Sequence, residues 1–75
     1  MEKNYTKQIV DVGLKVKKLR ESKNLTQLEL ADKCEIDIRS IQRIERGEFG
    51  FGLHILFALA TALDISPSDL LKNIK

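Results

Sequence analysis

Two helix-start signals lie eleven residues apart in this chain, at Thr26 and Asp37, and that spacing restricts the fold more than any other feature. Thr26-Gln27-Leu28-Glu29 has the form of a capping box, in which a threonine hydroxyl and a glutamate carboxylate satisfy backbone donors reciprocally at a helix start. Asp37 is a second N-cap, and Ile36 before it is spaced from Ile41 as in a hydrophobic staple. Gly47 then stands where a helix-terminating glycine belongs. Two short helices joined by a tight turn follow, the first ending near Cys34 and the second running from about Ile38 to Arg46.

The flanking segments read as helices too. Val12, Val16 and Leu19 recur at helical spacing, which predicts a first helix over about residues 10–22, and Tyr5 with Ile9 extends the stripe if the helix begins earlier. Asn24 follows as a left-handed terminator. Inside the central pair, Leu30, Ala31 and Cys34 face inward from one helix, Ile41 and Ile44 from the other. Leu53, Leu56, Leu59, Ala60 and Leu63 define the inner stripe of a fourth helix, closed by Asp64. Ser66-Pro67-Ser68-Asp69 opens a fifth through about Asn73, with serine at the cap and proline in the first turn. The expectation is an all-α, compact five-helix domain over residues 10–73, preceded by an N-terminal extension over 1–9. Seventy-five residues leave room for one core only.

The net charge of +2 is unevenly spread. Residues 1–25 hold seven Lys and Arg against three Asp and Glu, a bias that suits a polyanion, although lysines on an amphipathic helix also serve simply as its solvated face. The lone Cys34 has no partner for an internal disulfide, and no signal peptide is visible at the start, so a reducing cytoplasm is expected. The apolar run Leu53 to Leu63 is far shorter than the roughly 20 residues that span a bilayer. Catalysis is not expected: one histidine, His54, and one cysteine supply no paired acids or metal cluster, and GEFGFG lacks the end of a P-loop. No metal, cofactor or small-molecule ligand is implied.

Two short helices, the second with the outer face Ile38, Arg39, Ser40, Gln42, Arg43 and Arg46, match the plan that lays one helix in a DNA major groove. Helical hairpins of ordinary bundles share that plan, and the residue identities separate the two. LKVKKLRESKNLTQLELADKCEIDIRSIQRIERGE and LATALDISPSDLL resemble the phage-repressor and Cro-like (XRE-type) helix-turn-helix family. The resemblance rests on Arg20 near the end of helix one, Thr26-Gln27 opening helix two, Leu30-Ala31 within it and Ile44-Glu45-Arg46-Gly47 closing helix three. It implies a lambda-repressor-like fold, a sequence-specific transcriptional regulator of double-stranded DNA, and a partly buried ion pair between Arg20 and Glu45 joining helices one and three.

Helix direction then assigns the base contacts. Ile38, Arg39 and Arg43 lead, because arginine reads guanine O6 and N7 bidentately and isoleucine packs on a thymine methyl; Ser40 and Gln42 face either bases or backbone. The competing reading leaves Arg39 and Arg43 on phosphates. Gln27, at the positive end of helix two, is placed to meet a phosphate oxygen, with Arg46, Lys17 and Lys23 as rim contacts.

Two departures from the family pattern stand out. Glu35 occupies the turn position where the family often has glycine, so the turn is expected to shift and the carboxylate to lower general DNA affinity. Leu28 sits where a polar residue is usual. Helix four also has more apolar surface than one inner stripe needs. Phe49, Ile55, Phe57, Ala58 and Ala62 are therefore predicted to form a homodimer interface through helices four and five, unless Phe51 and Phe57 simply fill the monomer core. Such a dimer suits a palindromic operator. The rival function is a protein-interaction module, an antitoxin or antirepressor-type partner that meets another chain through helices four and five.

Overall fold

The computed structural model describes residues 4–48 and 50–75; Phe49, one of the predicted interface residues, lies outside them. The elements are α1 (Thr6–Ser22), α2 (Gln27–Cys34), α3 (Ile38–Glu45), α4 (Leu53–Ala62) and α5 (Pro67–Leu71), with no strand among the described residues. The earlier of the two possible starts of α1 is the observed one. It brings Ile9 half-buried, but Tyr5 stays exposed. α5 ends at Leu71, two residues short of the expected Asn73.

Both start signals work as read. Thr26 Oγ1 accepts from the Glu29 N–H at 3.0 Å while Glu29 Oε1 accepts from the Thr26 N–H at 2.8 Å, completing the capping box. Asp37 Oδ1 accepts from the Arg39 N–H at 3.0 Å, and Ser66 Oγ from the Asp69 N–H at 3.1 Å. Each interaction pairs a donor that the helix geometry itself leaves unsatisfied.

The helix ends share one construction. After α1, α2, α3 and α4 the chain reverses at Asn24, Glu35, Gly47 and Asp64, with φ of 57°, 56°, 70° and 57°. At each, that residue's N–H and the next one bond back to two late carbonyls, as in Asn24 to Glu21 and Leu25 to Arg20. The residue after the reversal is apolar at three of them, and Leu25, Ile36 and Ile65 pack half-buried on the core. The expected shift of the turn at Glu35 does not occur. Glu35 takes the left-handed conformation itself, because the two carbonyls it helps cap and the anchored Ile36 offset a strain of about 1 kcal/mol.

The core is built from Val12 and Val16 of α1, Leu30, Ala31 and Cys34 of α2, Ile41 and Ile44 of α3, and Leu56, Leu59, Leu63 and Leu70 from the C-terminal half. Phe51 packs half-buried against it, so this phenylalanine does fill the monomer core. Leu53 does not belong to the inner stripe: it is 68% exposed, the highest value among the large apolar residues described. It is the first residue of α4 and lines the mouth of an open apolar cavity with Ile9, Phe51 and Ile74.

Two further contacts set the frame. A Cβ on Gly13 would overlap the Ile44 carbonyl oxygen, so α1 and α3 cross at a distance that only glycine permits. Two residues further along α1, Lys15 Nζ donates to the Asp69 and Lys72 carbonyls at 2.6 and 2.8 Å, closing the C-terminus of α5 onto α1.

Candidate nucleic-acid interface

The site is built outward from α3. Ile41, Ile44 and Glu45 are buried, which fixes the rotation of the helix and leaves Arg39, Gln42, Arg43 and Arg46 at spacings of three, four and seven residues on the opposite side. Arg39, Arg43 and Arg46 are exposed and Gln42 is half-buried. These four make one polar ridge with three positive charges. Ser40 lies half-buried on one flank. Ile38 is also half-buried, its side chain packed on the core, so only part of it remains for a base methyl.

Arg46 is already engaged: its Nε donates to the Gln42 carbonyl at 3.3 Å and lies 3.4 Å from Glu48 Oε2. Both side chains of the ion pair are well exposed, so the pair is weak and exchangeable against a phosphate. Lys17 is exposed one helical turn beyond Gly13, at the α1–α3 crossing, and Lys23 is exposed between α1 and the start of α2. Leu28, in the first turn of α2, is exposed as well.

Beneath the ridge, Arg20 and Glu45 form the ion pair implied by the resemblance. Arg20 Nε donates to Glu45 Oε2 at 2.7 Å and Nη2 to Oε1 at 3.1 Å, while Nη1 donates to the Leu25 carbonyl at 2.7 Å. Arg20 is 9% and Glu45 6% exposed. The hydrogen bond to Glu45 holds the Arg20 guanidinium above its ordinary pKa, against the burial that acts to lower it. This fork joins the end of α1 to the end of α3 and to the loop that leads into α2.

Gln27 is tied into the same group. Its Nε2 donates to Glu45 Oε1 at 3.0 Å, so the side chain is half-buried against the ion pair instead of extending freely. Nothing in the sequence marks this contact, which depends on α2 crossing the end of α3. At the same helix end the backbone N–H groups of Gln27 and Leu28 precede the first intrahelical bond of α2, from Leu30 to Thr26. The capping box uses the Glu29 donor and holds the Glu29 carboxyl below its usual value, chiefly through the Thr26 N–H. Outward-pointing donors at a positive helix end suit a phosphate oxygen.

The predicted interface residues on α4 separate. Phe57 is 53% exposed, whereas Ile55, Ala58 and Ala62 are half-buried and pack along the edge of the core. Leu53, one turn before Phe57, joins it at the surface; its spacing fits the inner stripe equally well, which hides it in the sequence. Between α2 and α4, a groove is lined by Lys33, Cys34, Glu35, His54, Phe57, Ala58 and Thr61, with the cysteine contributed by α2 and the histidine by α4. Burial pushes the Cys34 thiol up, the reverse of what an activated nucleophile needs. No described helix is long and apolar enough to cross a membrane.

The helix-turn-helix family model HTH_3 matches residues 16–70. The control protein C.BamHI of Bacillus amyloliquefaciens is 38% identical over 60 residues, which is 79% of this chain and 74% of that protein. Among solved structures, the restriction-modification controller protein C.AhdI of Aeromonas hydrophila is 37% identical, with a TM-score of 0.80 over 83% of this chain and 94% of its own. The competence regulator ComR of Streptococcus vestibularis superposes with a TM-score of 0.82 at 32% identity, over 91% of this chain and 23% of that one. With the fork from Arg20 to Glu45 and the ridge of α3 in place, these matches show that the chain belongs to the HTH_3 helix-turn-helix family of DNA-binding transcriptional regulators.

Proposed function

We propose that the chain is a controller-type regulator that binds a palindromic operator as a homodimer, with α3 of each protomer in the major groove. The α3 ridge carries this reading: its rotation is fixed by three buried residues, so that Arg39, Gln42, Arg43 and Arg46 share the outward side. Arg39 and Arg43 meet base edges in the first turns of α3, with Ser40, Gln42 and the outer part of Ile38 beside them. Gln27, Arg46, Lys17 and Lys23 position the domain on phosphates without reading sequence.

The dimer half of the proposal rests on α4. A phenylalanine and a leucine one turn apart stand exposed next to the half-buried Ile55, Ala58 and Ala62, on the part of the domain that α3 leaves uncovered. An isologous contact through α4 and α5 sets two recognition helices about 34 Å apart, one turn of B-DNA. The likeness to C.BamHI and C.AhdI supports the controller role.

Selection of bound sequences from random duplex DNA tests the whole reading. A recovered palindrome with half-sites about one turn apart is expected. Recovery of no motif, with affinity that stays flat as salt rises, would leave the rival protein-interaction role.

A further inference from the structure

We propose that Glu45 is a positioning residue for DNA binding: it holds the Gln27 amide in the orientation that meets the phosphate backbone, in addition to pairing with Arg20. The inference rests on the phosphate contact of Gln27 proposed above.

Glu45 Oε1 accepts from two donors at once, Arg20 Nη2 at 3.1 Å and Gln27 Nε2 at 3.0 Å, while Oε2 takes Arg20 Nε at 2.7 Å. An ionised carboxylate only accepts hydrogen bonds, so the amide must turn its nitrogen toward Glu45. That fixes the glutamine along its whole length. One N–H is spent on Glu45, which leaves the second to serve a phosphate oxygen. Without Glu45, a glutamine in the first turn of an exposed helix samples several rotamers, and ordering it on DNA costs side-chain entropy that the bound amide has already given up.

The arrangement also makes the phosphate contact depend on α3. Glu45 is the last residue of the recognition helix, and its buried carboxylate spans α1, α2 and α3. The phosphate-facing amide of α2 and the base-facing ridge of α3 are thus held in one register by a single side chain. The ion pair acquires a binding role that a packing role alone does not give it.

The test is a double-mutant cycle in the full chain, read as Kd on the duplex recovered by selection and on a mixed-sequence duplex of equal length at low salt. Gln27→Met is expected to weaken binding about tenfold, as loss of a hydrogen bond to a charged group does. Replacing the ion pair by Arg20→Met with Glu45→Met is expected to cause a similar loss, and adding Gln27→Met to that pair to cause no more. Losses that multiply would overturn the positioning role while leaving the phosphate contact standing. A Gln27→Met variant with unchanged Kd would instead remove the phosphate contact itself.

Should the Met pair fail to fold, Glu45→Asp keeps the charge and withdraws the carboxylate by one methylene. In that variant the side-chain amide resonances of Gln27, followed by NMR, should move to the values of a solvent-exposed glutamine, and affinity should fall to the Gln27→Met level. Unmoved resonances, or moved resonances with full affinity, would count against the proposal.

Discussion

α3 and α4 are short helices, consecutive in the chain, built on opposite plans. α3 is fixed from three directions, by the glycine crossing at Gly13, by the Arg20–Glu45 fork and by the cap at Asp37, and its outer ridge is polar. α4 buries Leu56, Leu59 and Ala60 yet still presents Leu53 and Phe57 to solvent. The contrast shows that the domain has two outward faces with different complements. One is a firmly held charged ridge that complements a polyanion, and the other is an apolar surface that water satisfies poorly.

Disabling the α3 side should cost the most. Arg20→Ala strands the Glu45 carboxylate in a nearly closed site, and about 3 to 5 kcal/mol of stability is expected to go, a large part of what a domain this size has. Thermal unfolding followed by circular dichroism checks it, and an unchanged Tm would mean that the fork has no structural weight. Gly13→Ala comes next. Its methyl would meet the Ile44 carbonyl, a backbone atom that moves only with α3, so about 3 kcal/mol and a Tm fall of about 12 °C or more are expected.

The α4 side should respond in the opposite way. Phe57→Glu removes an exposed side chain, so monomer stability should stay within about 0.5 kcal/mol while self-association weakens by about 2 kcal/mol or more. Sedimentation at micromolar concentration distinguishes the two quantities. A monomer already in the unsubstituted protein would break the comparison, because α4 would then have no apolar partner from a second copy.

How far the sequence disclosed these two faces differs for a physical reason. Elements and caps were legible because capping is local: Thr26, Glu29, Asp37 and Ser66 act within three residues of themselves. The inner sides of α2 and α3 followed from periodicity, and Arg20 with Glu45 from family resemblance. What remained hidden depends on how helices cross. Gly13 sits inside an ordinary helical stripe, and only the approach of Ile44 shows that a methyl cannot be accommodated. The Gln27–Glu45 contact spans eighteen residues. Leu53 and Leu56 have the same periodic standing, and only the packed fold separates an exposed leucine from a buried one.

The turn between α2 and α3 offers a smaller test, since the strain at Glu35 is legible in the sequence and its resolution is not. Left-handed φ is costly for a residue that carries a Cβ, yet the chain keeps it there. Glu35→Gly should relieve that strain and raise stability by about 0.5 to 1 kcal/mol, measured by urea unfolding. A loss of stability would show instead that the glutamate side chain contributes more than its backbone strain removes.

The smallest effect belongs to the capping box, and its pH dependence has a definite sign. The Glu29 carboxyl sits below its ordinary value of 4.5 because the Thr26 N–H and hydroxyl favour the charged form. A group whose folded pKa is depressed stabilises the protein above its unfolded value and loses that contribution as pH falls through the folded one. Glu29→Gln retains a side chain that accepts from the Thr26 N–H but cannot titrate. The Tm difference between the two proteins should therefore be steady near neutrality, shrink as pH drops below 4.5 and vanish in stronger acid. A difference that stayed constant into acid would assign the cap to hydrogen-bond geometry alone, with no contribution from the carboxylate charge at the start of α2.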